Sequence, residues 1–249
     1  MKSLLIGNQR IHINTCTSTN AMMHEIMSNT KPNEGFVITA GFQTAGKGQY
    51  GNRWESEARQ NILFTVLLKP DFLELNESFL FNKAITIAVQ QTIAHYIQTN
   101  VYIKWPNDIL INRKKASGIL IENVIYGDRI RESIIGIGIN VLQKTFNTNL
   151  AATSMYNELP KSYHVEKIID TLVIQLDKYY HILKNGNHAL IKSLYDKYLL
   201  DKDKNSKFLI NGIEHSGIIL SVNNQGLLEV KWDEDSIKLY PHKSIYQVI

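Results

Sequence analysis

Lys104-Trp105-Pro106-Asn107-Asp108, flanked by Val101-Tyr102-Ile103 and Ile109-Leu110-Ile111, decides how this chain is read. A cation, a bulky aromatic, a rigid turn residue and an amide–acid pair in five positions do not build a core. The apolar runs on both sides place the polar insert at the end of a strand, where α/β proteins put their chemistry. Seven positions past the aspartate, Lys115 opens Lys115-Ala116-Ser117-Gly118-Ile119-Leu120. Residues 109–111 and 118–121 are expected to pair across a turn at Asn112-Arg113-Lys114-Lys115. Residues 122–126 then meet Gly127-Asp128, a favourable hairpin turn, and the chain returns through 129–141. Consecutive antiparallel strands of this kind argue against a doubly wound parallel sheet.

Working outward, strand and helix patterns alternate without repetition. A short strand is expected at 10–13. Thr17-Ser18-Thr19-Asn20 offers hydroxyl caps to a helix ending near Ser28. Strands follow at 36–42 and 61–68, the second strongly apolar and buried. Phe81, Ala84, Ile85, Ala88, Val89, Ile93 and Ile97 recur at helical spacing within 79–98. Two further helices are expected at 165–184 and 187–200. The polar run 201–207 marks a boundary. Beyond it, short strands separated by Asn211-Gly212, Asn223-Asn224-Gln225-Gly226 and Asp233-Glu234-Asp235-Ser236 predict a small barrel that must dock on its neighbour. The expectation is an α/β (α+β) protein with domains at 1–203 and 204–249.

The totals narrow the class. A chain of 249 residues, 44% hydrophobic and 20% charged, has an ordinary soluble composition with a sizeable core. A formal charge of +4 suits nucleotide phosphates or an acidic protein, and gives no broad nucleic-acid footprint. The one cysteine, Cys16, excludes an internal disulfide and a multi-cysteine metal site. No apolar run reaches membrane-spanning length and the start does not read as a signal peptide, so the expected compartment is the cytoplasm. The eight histidines lack metal-ligand spacing. The absence of Gly-x-Ser-x-Gly leaves a serine hydrolase without support.

Three segments can carry chemistry. Ala45-Gly46-Lys47-Gly48-Gln49-Tyr50-Gly51-Asn52-Arg53-Trp54 holds three glycines, two cations and an indole. Its glycines suit either a backbone nest for an anion or a flexible surface loop, and the residues leave both open. The loop is neither a Walker A sequence nor a dinucleotide fingerprint. In 104–108, Asn107-Asp108 is a reasonable ligand pair for Mg²⁺, and Lys115 can neutralise charge on a phosphate or an attacking carboxylate. Arg113 and Lys114 read as solvated turn residues. In Gly136-Ile137-Gly138-Ile139-Asn140-Val141, one face is isoleucine and valine and the other is glycine and asparagine. Bare backbone there means close approach of a ligand or a packed helix, with Asn140 a natural polar contact.

In this order, Ser18-Thr19-Asn20, Gln43, the 46–54 loop, Lys104-Trp105-Pro106-Asn107-Asp108, Lys115 to Glu122, Gly136 to Val141 and Ala152-Thr153-Ser154-Met155 resemble the biotin protein ligases along nearly the whole chain. The resemblance implies a catalytic domain related to class II aminoacyl-tRNA synthetases, with a mixed, largely antiparallel sheet, and a C-terminal SH3-like barrel. It implies attack of biotin carboxylate on MgATP to give biotinoyl-5′-AMP, then transfer to a lysine of a biotin carboxyl carrier domain. Neither DNA nor membrane is an expected partner. By the same resemblance Ser18, Thr19 and Gln43 bind the ureido ring, with backbone at Gly46 and Lys47, and Gly118 leaves room for backbone contact. Lys115 contacts the biotin carboxylate and the α-phosphate and, with Asp108, forms the catalytic pair. The implied ATP set is Lys47, Gln49, Asn52, Arg53, Trp54 (near adenine), Asn107, Asp108, Lys115 and Asn140, with Mg²⁺ at Asp108.

Departures from the family pattern carry their own expectations. Gln49 stands where an arginine is common, which predicts weaker retention of the adenylate unless Arg53 or Lys47 substitutes. The last strand, 244–249, lacks an arginine that some members carry. The catalytic segments begin within the first twenty residues, so no operator-binding activity is expected. A monomer and a homodimer are both compatible, with strand 129–141 a candidate edge. The 44–54 loop is expected to be mobile when empty. The rival readings are a lipoate–protein ligase, a non-catalytic biotin or nucleotide sensor, and a barrel-based adaptor.

Overall fold

One buried helix and one long hairpin organise the molecule. A computed structural model describes residues 4–98, 100–147, 151–232 and 236–249. The chain passes through β1 (Arg10–Ile13), α1 (Thr19–Asn29), β2 (Val37–Ala40), β3 (Asn61–Leu68), α2 (Ser78–Ile97), β4 (Val101–Lys104) and β5 (Asp108–Ile111). It continues through β6 (Lys114–Tyr126), β7 (Arg129–Asn140), α3 (Met155–Glu158), α4 (Val165–Lys184) and α5 (His188–Tyr198). The last strands are β8 (Asn205–Ile210), β9 (Ile213–Val222), β10 (Leu228–Lys231), β11 (Ile237–Tyr240) and β12 (Tyr246–Gln247).

β1 to β7 form one mixed sheet in the order β1-β2-β3-β7-β6-β5-β4, in which only β1 and β2 run parallel. β8 to β12 form a second, antiparallel sheet in the order β11-β10-β9-β8-β12. The class is α+β. α2 is buried on almost every side because it lies between the large sheet and α4 and α5. This is why Leu80 and Ile87, off the expected stripe, are as buried as Ile85. On the opposite face α1 packs Met23 against Ile38, Leu67 and Ile134. The rest of that face is left for the site.

Four features differ from the sequence reading. Asn112 and Arg113 both adopt positive φ (47° and 67°), the conformation of a tight two-residue hairpin. The turn is therefore shorter than the four residues expected, and Lys115 belongs to β6. The expected edge strand 129–141 is interior: β7 lies between β3 and β6, and the edges are β1 and β4. The adjacent pair Ile134 and Ile135, each fully buried on opposite faces, is the signature of a strand covered on both sides. The single-turn helix α3 was not foreseen, although Ser154 caps it by accepting from the Asn157 N–H at 3.2 Å. The polar run 201–207 is partly strand, and Asp203 N–H donates to Ile219 O at 2.9 Å. The expected turn at 233–235 lies outside the described residues.

The two sheets meet through α2 and the 104–108 segment. Lys83 Nζ, on α2 and 2% exposed, donates to Val222 O at 2.5 Å. Trp105 Nε1–H donates to Gly226 O at 3.0 Å. Burial pushes the Lys83 ammonium down to about 8, against the opposing pull of Asp196.

Candidate active site

Strand register places the site. Lys104 pairs with Asp108, Asp108 with Gly118, Gly118 with Gly138, and Gly138 with Leu63. Directly paired residues point to the same side of a sheet, so these five form one transverse row. The next row is Leu120, Gly136 and Thr65. The 104–108 insert and the bare glycine face, far apart in sequence, are thus one surface. A narrow cleft above it, with a free volume of about 60 Å³, is lined by Ser18, Thr19, Gln43, Trp54, Lys115 and Gly118, among others.

Lys115 reaches this surface by a register shift. Regular alternation from Gly118 would send the side chain of Lys115 into the core, as it does that of Ser117. Pairing jumps from Ile109↔Ser117 to Leu110↔Lys115, so Ala116 is an extra residue in β6. Such a bulge re-aims the next side chain, here onto the face of Asp108. Lys115 Nζ lies 2.7 Å from Asp108 Oδ1 as an ion pair, and Lys115 N–H and C=O are held by Ala151 O (2.8 Å) and Thr153 N–H (2.9 Å). Asp108 Oδ1 is otherwise buried without a hydrogen-bond donor. Lys104 is more enclosed, and burial lowers its pKa against the pull of Asp108, with Lys115 adding to the lowering. Asn107 uses its amide on Ile119 O at 2.6 Å, fixing β6 while lining the cleft.

The glycine loop forms a closed hairpin over the row. Gly48 N–H donates to Asn52 O (2.7 Å), Trp54 N–H to Gly46 O (3.0 Å), and Arg53 Nη2 to Thr44 O (2.6 Å). The Gly48 amide therefore closes the hairpin and does not face an anion. Gly46 is required because a Cβ there would lie 2.5 Å from Trp54 O. Trp54 answers the question of the bare strands. Its indole covers Gly138, where a Cβ would collide with it, and lies 3.1 Å from the Cβ position of Gly118. The room expected above Gly118 is thus taken by Trp54 and by the Lys115 chain, whose Nζ stands 5.9 Å from the indole centre. Gly136 is covered by Asn20, on helix α1, so the face serves an aromatic loop residue and a packed helix together.

The opposite end of the cleft carries no charge at its wall. Thr19 N–H, unpaired within α1 because it is in the first turn, donates to Gln43 Oε1 at 2.8 Å. Ser18 stands at the cap position yet makes no capping hydrogen bond, leaving its hydroxyl to the cleft. Asn20, which also lines the cleft, and Thr65 and Glu122 behind it extend this polar end. None of these three was singled out for chemistry from the sequence, although Thr65 is a hydroxyl inside an otherwise apolar run.

Of the residues expected at the site, Ser18, Thr19, Gln43, Lys47, Gln49, Trp54, Asn107, Lys115 and Gly118 line the cleft. Gly46, Asn52 and Arg53 line an adjoining recess on the outside of the loop, with Lys47 bordering both. Asp108 joins through Lys115. Asn140 does not line the cleft: it is 4% exposed and donates to Thr153 O at 3.0 Å, with its Oδ1 buried and unpartnered. The second sheet also reaches the site. His242 stacks on Tyr50 of the loop (5.0 Å between ring centres) and meets Trp105 edge-on at 5.4 Å.

With this geometry in place, the biotin/lipoate A/B protein ligase family model matches residues 13–140. The bifunctional ligase/repressor BirA of Bacillus subtilis is 32% identical over 245 residues, which cover 96% of this chain and 74% of that protein. The chain belongs to the biotin/lipoate A/B protein ligase family. It is an enzyme of that family. The biotin–[acetyl-CoA-carboxylase] ligase of Mycobacterium tuberculosis is 26% identical, with 85% of this chain and 79% of that protein covered. The fold is that of the biotin protein ligase of Aquifex aeolicus solved with biotin and ATP: TM-score 0.80 at 22% identity, over 97% of this chain and 99% of that one. The matched span runs from β1 to β7 and so contains the whole transverse row.

Proposed function

We propose that this chain joins biotin to ATP, forming biotinoyl-5′-AMP and pyrophosphate, and passes the biotinoyl group to a lysine of a biotin carboxyl carrier domain. The observation that carries this reading is a cleft with an uncharged hydrogen-bonding end and an ion pair at the other, with the Trp54 indole seated on the glycine strands between them. A ureido ring with a carboxylate on a flexible chain matches that polarity, and membership in the family narrows the choice to biotin and lipoate. The dithiolane ring of lipoate offers no N–H or carbonyl to Thr19 and Gln43, which favours biotin.

In the first step a carboxylate oxygen of biotin bonds to the α-phosphorus and the bond to pyrophosphate breaks. Two anions must be brought together, so cations and orientation do the work rather than an enzyme nucleophile. Lys115 stands between them, positioned by Asp108. Asp108 and the nucleotide phosphates together fit a Mg²⁺, which needs few protein carboxylates; among the described residues no cluster of three His, Cys, Asp or Glu could hold one alone. Bound there, the ion would supply charge neutralisation. Lys47, Gln49, Asn52, Arg53, Trp54 and Asn107 complete the nucleotide side, while Asn140 supports it from behind through Thr153. In the second step the carrier amine attacks the acyl carbon, the bond to AMP breaks and the amine loses its proton. The reading keeps domains 1–203 and 204–249, with class II synthetase kinship for the first and an SH3-like second.

ATP–pyrophosphate exchange, run with biotin and lipoate in turn, tests the reading. Exchange with biotin alone is the expected result, and exchange with neither would leave a sensor or adaptor. Operator binding is no part of it; a salt-dependent, sequence-specific shift of biotin-operon DNA would overturn that point.

A further inference from the structure

Behind the uncharged end runs a chain of polar atoms whose hydrogens can be counted. Asn20 lies 2.6 Å from Glu122 Oε2 through Nδ2 and 2.7 Å from Thr65 Oγ1 through Oδ1. Thr65 Oγ1 lies 2.7 Å from Thr19 Oγ1, and Thr19 Oγ1 lies 3.0 Å from Gln43 Oε1. Thr65 is fully buried, and Thr19 and Asn20 are each 3% exposed, so the two contacts that Thr65 makes are shielded from bulk water.

A carboxylate oxygen accepts only, so the Asn20 amide turns its NH₂ to Glu122 and its oxygen to Thr65. That oxygen also accepts only, so the single hydroxyl hydrogen of Thr65 goes to Asn20. The short contact between the two threonines then takes the hydrogen of Thr19. Thr19 has none left for Gln43, whose Oε1 is fixed in place by the Thr19 backbone N–H. Three contacts share two hydrogens, and the longest one goes without. At the cleft wall this leaves Thr19 Oγ1 presenting lone pairs and the Gln43 amide presenting its NH₂, beside Gly46.

We propose that Glu122, Asn20 and Thr65 form a one-way relay that holds the Thr19 hydroxyl as an acceptor beside the Gln43 donor. That pair selects ligands whose ring carries an N–H next to a carbonyl. The inference rests on the biotin reading above and deepens it. Thr65, Asn20 and Glu122 are positioning residues: they act through Thr19 and touch no reacting atom.

The test is pyrophosphate exchange by the full chain with biotin, and with biotin methylated at both ureido nitrogens. Thr65→Val should raise the biotin KM about tenfold, the weight of one buried hydrogen bond, with kcat and the ATP KM unchanged. Thr65→Ser should restore it. Methylation should penalise the wild type at least about tenfold more than Thr65→Val, because the variant has already lost the fixed acceptor. Should Thr65→Val fail to fold, Glu122→Gln at the solvent end of the relay should show the same pattern, at about threefold, since a neutral amide no longer dictates which way Asn20 turns. A parallel rise in the ATP KM, equal methylation penalties, or a Glu122→Gln enzyme with unchanged biotin KM would overturn the relay. In those cases the wild type still uses biotin. A wild type that exchanges only with lipoate removes the functional reading, and the relay with it.

Discussion

The two ends of the cleft solve opposite problems. The end at Thr19, Gln43 and Thr65 is neutral at the wall, with both threonines buried and Gln43 half-buried, and its directions follow from which atoms carry hydrogens. The end at Lys115 and Asp108 is charged and half-open, with the Lys115 side chain 40% exposed, and it borrows cover from the glycine loop and from His242 of the second sheet. A hydrogen-bonded network with a buried centre, here Thr19, Asn20 and Thr65, keeps its geometry in the absence of ligand. A pair of opposite charges at an open edge depends on screening, on loop position and on what docks behind it. On the proposed function, recognition is therefore built into the first end, and reactivity is assembled at the second.

The largest effect should come from the charged end. Lys115→Ala should lower adenylation by about a hundredfold to a thousandfold, as loss of a transition-state charge partner does, while biotin binding measured by calorimetry changes far less. A comparable loss of biotin affinity would erase the distinction between the ends. Salt should separate them next. Between low and high ionic strength the ATP KM should rise several-fold, and the biotin KM by less than about twofold.

Docking of the second sheet gives the third test. The Lys83 ammonium is held at about 8 in the folded protein and returns to 10.5 on unfolding. From about pH 8 upward the unfolded chain binds more protons, so stability rises with pH through that window. Urea melts at pH 7.5 and 9.5 should differ by roughly 2 kcal/mol in the wild type, and the Lys83→Met variant should lose that slope. The variant comparison also removes Cys16, whose thiol burial pushes up and which opposes the trend. The smallest expected effect is Gln49→Arg, which should slow adenylate release by a few-fold in a filter or fluorescence assay, on the order of one added surface charge contact. Unchanged release would show that the loop does not need a cation there.

Much of this was legible in the sequence, for reasons that can be named. Asn61–Leu68 was readable because six strongly apolar residues among eight have little alternative to a buried strand. The 104–108 cluster was readable because two lysine-flanked polar residues, Asn107 and Asp108, are unusual between two apolar strands, although its Trp105 joins the core. Lys115 was legible as a cation near Asp108, but its route was not: a bulge is one extra residue, and nothing in Lys-Lys-Ala-Ser-Gly marks which residue is extra. The central place of β7 depends on long-range pairing with β3 that no local pattern encodes. Asn20, Thr65 and Glu122 looked like a motif residue, a stray hydroxyl and a surface acid. They become one network only when α1, β3 and β6 meet.

Trp54 lies flat on two glycines and is the lining residue that belongs to the loop yet covers the floor. Lifting the loop would carry the indole off Gly118 and Gly138 and expose that backbone to water. An acyl-phosphate mixed anhydride made there faces two fates, reaction with an arriving amine or loss to water. On the proposed function, the indole's seat on Gly118 and Gly138 is what keeps water from that anhydride until an acceptor amine arrives.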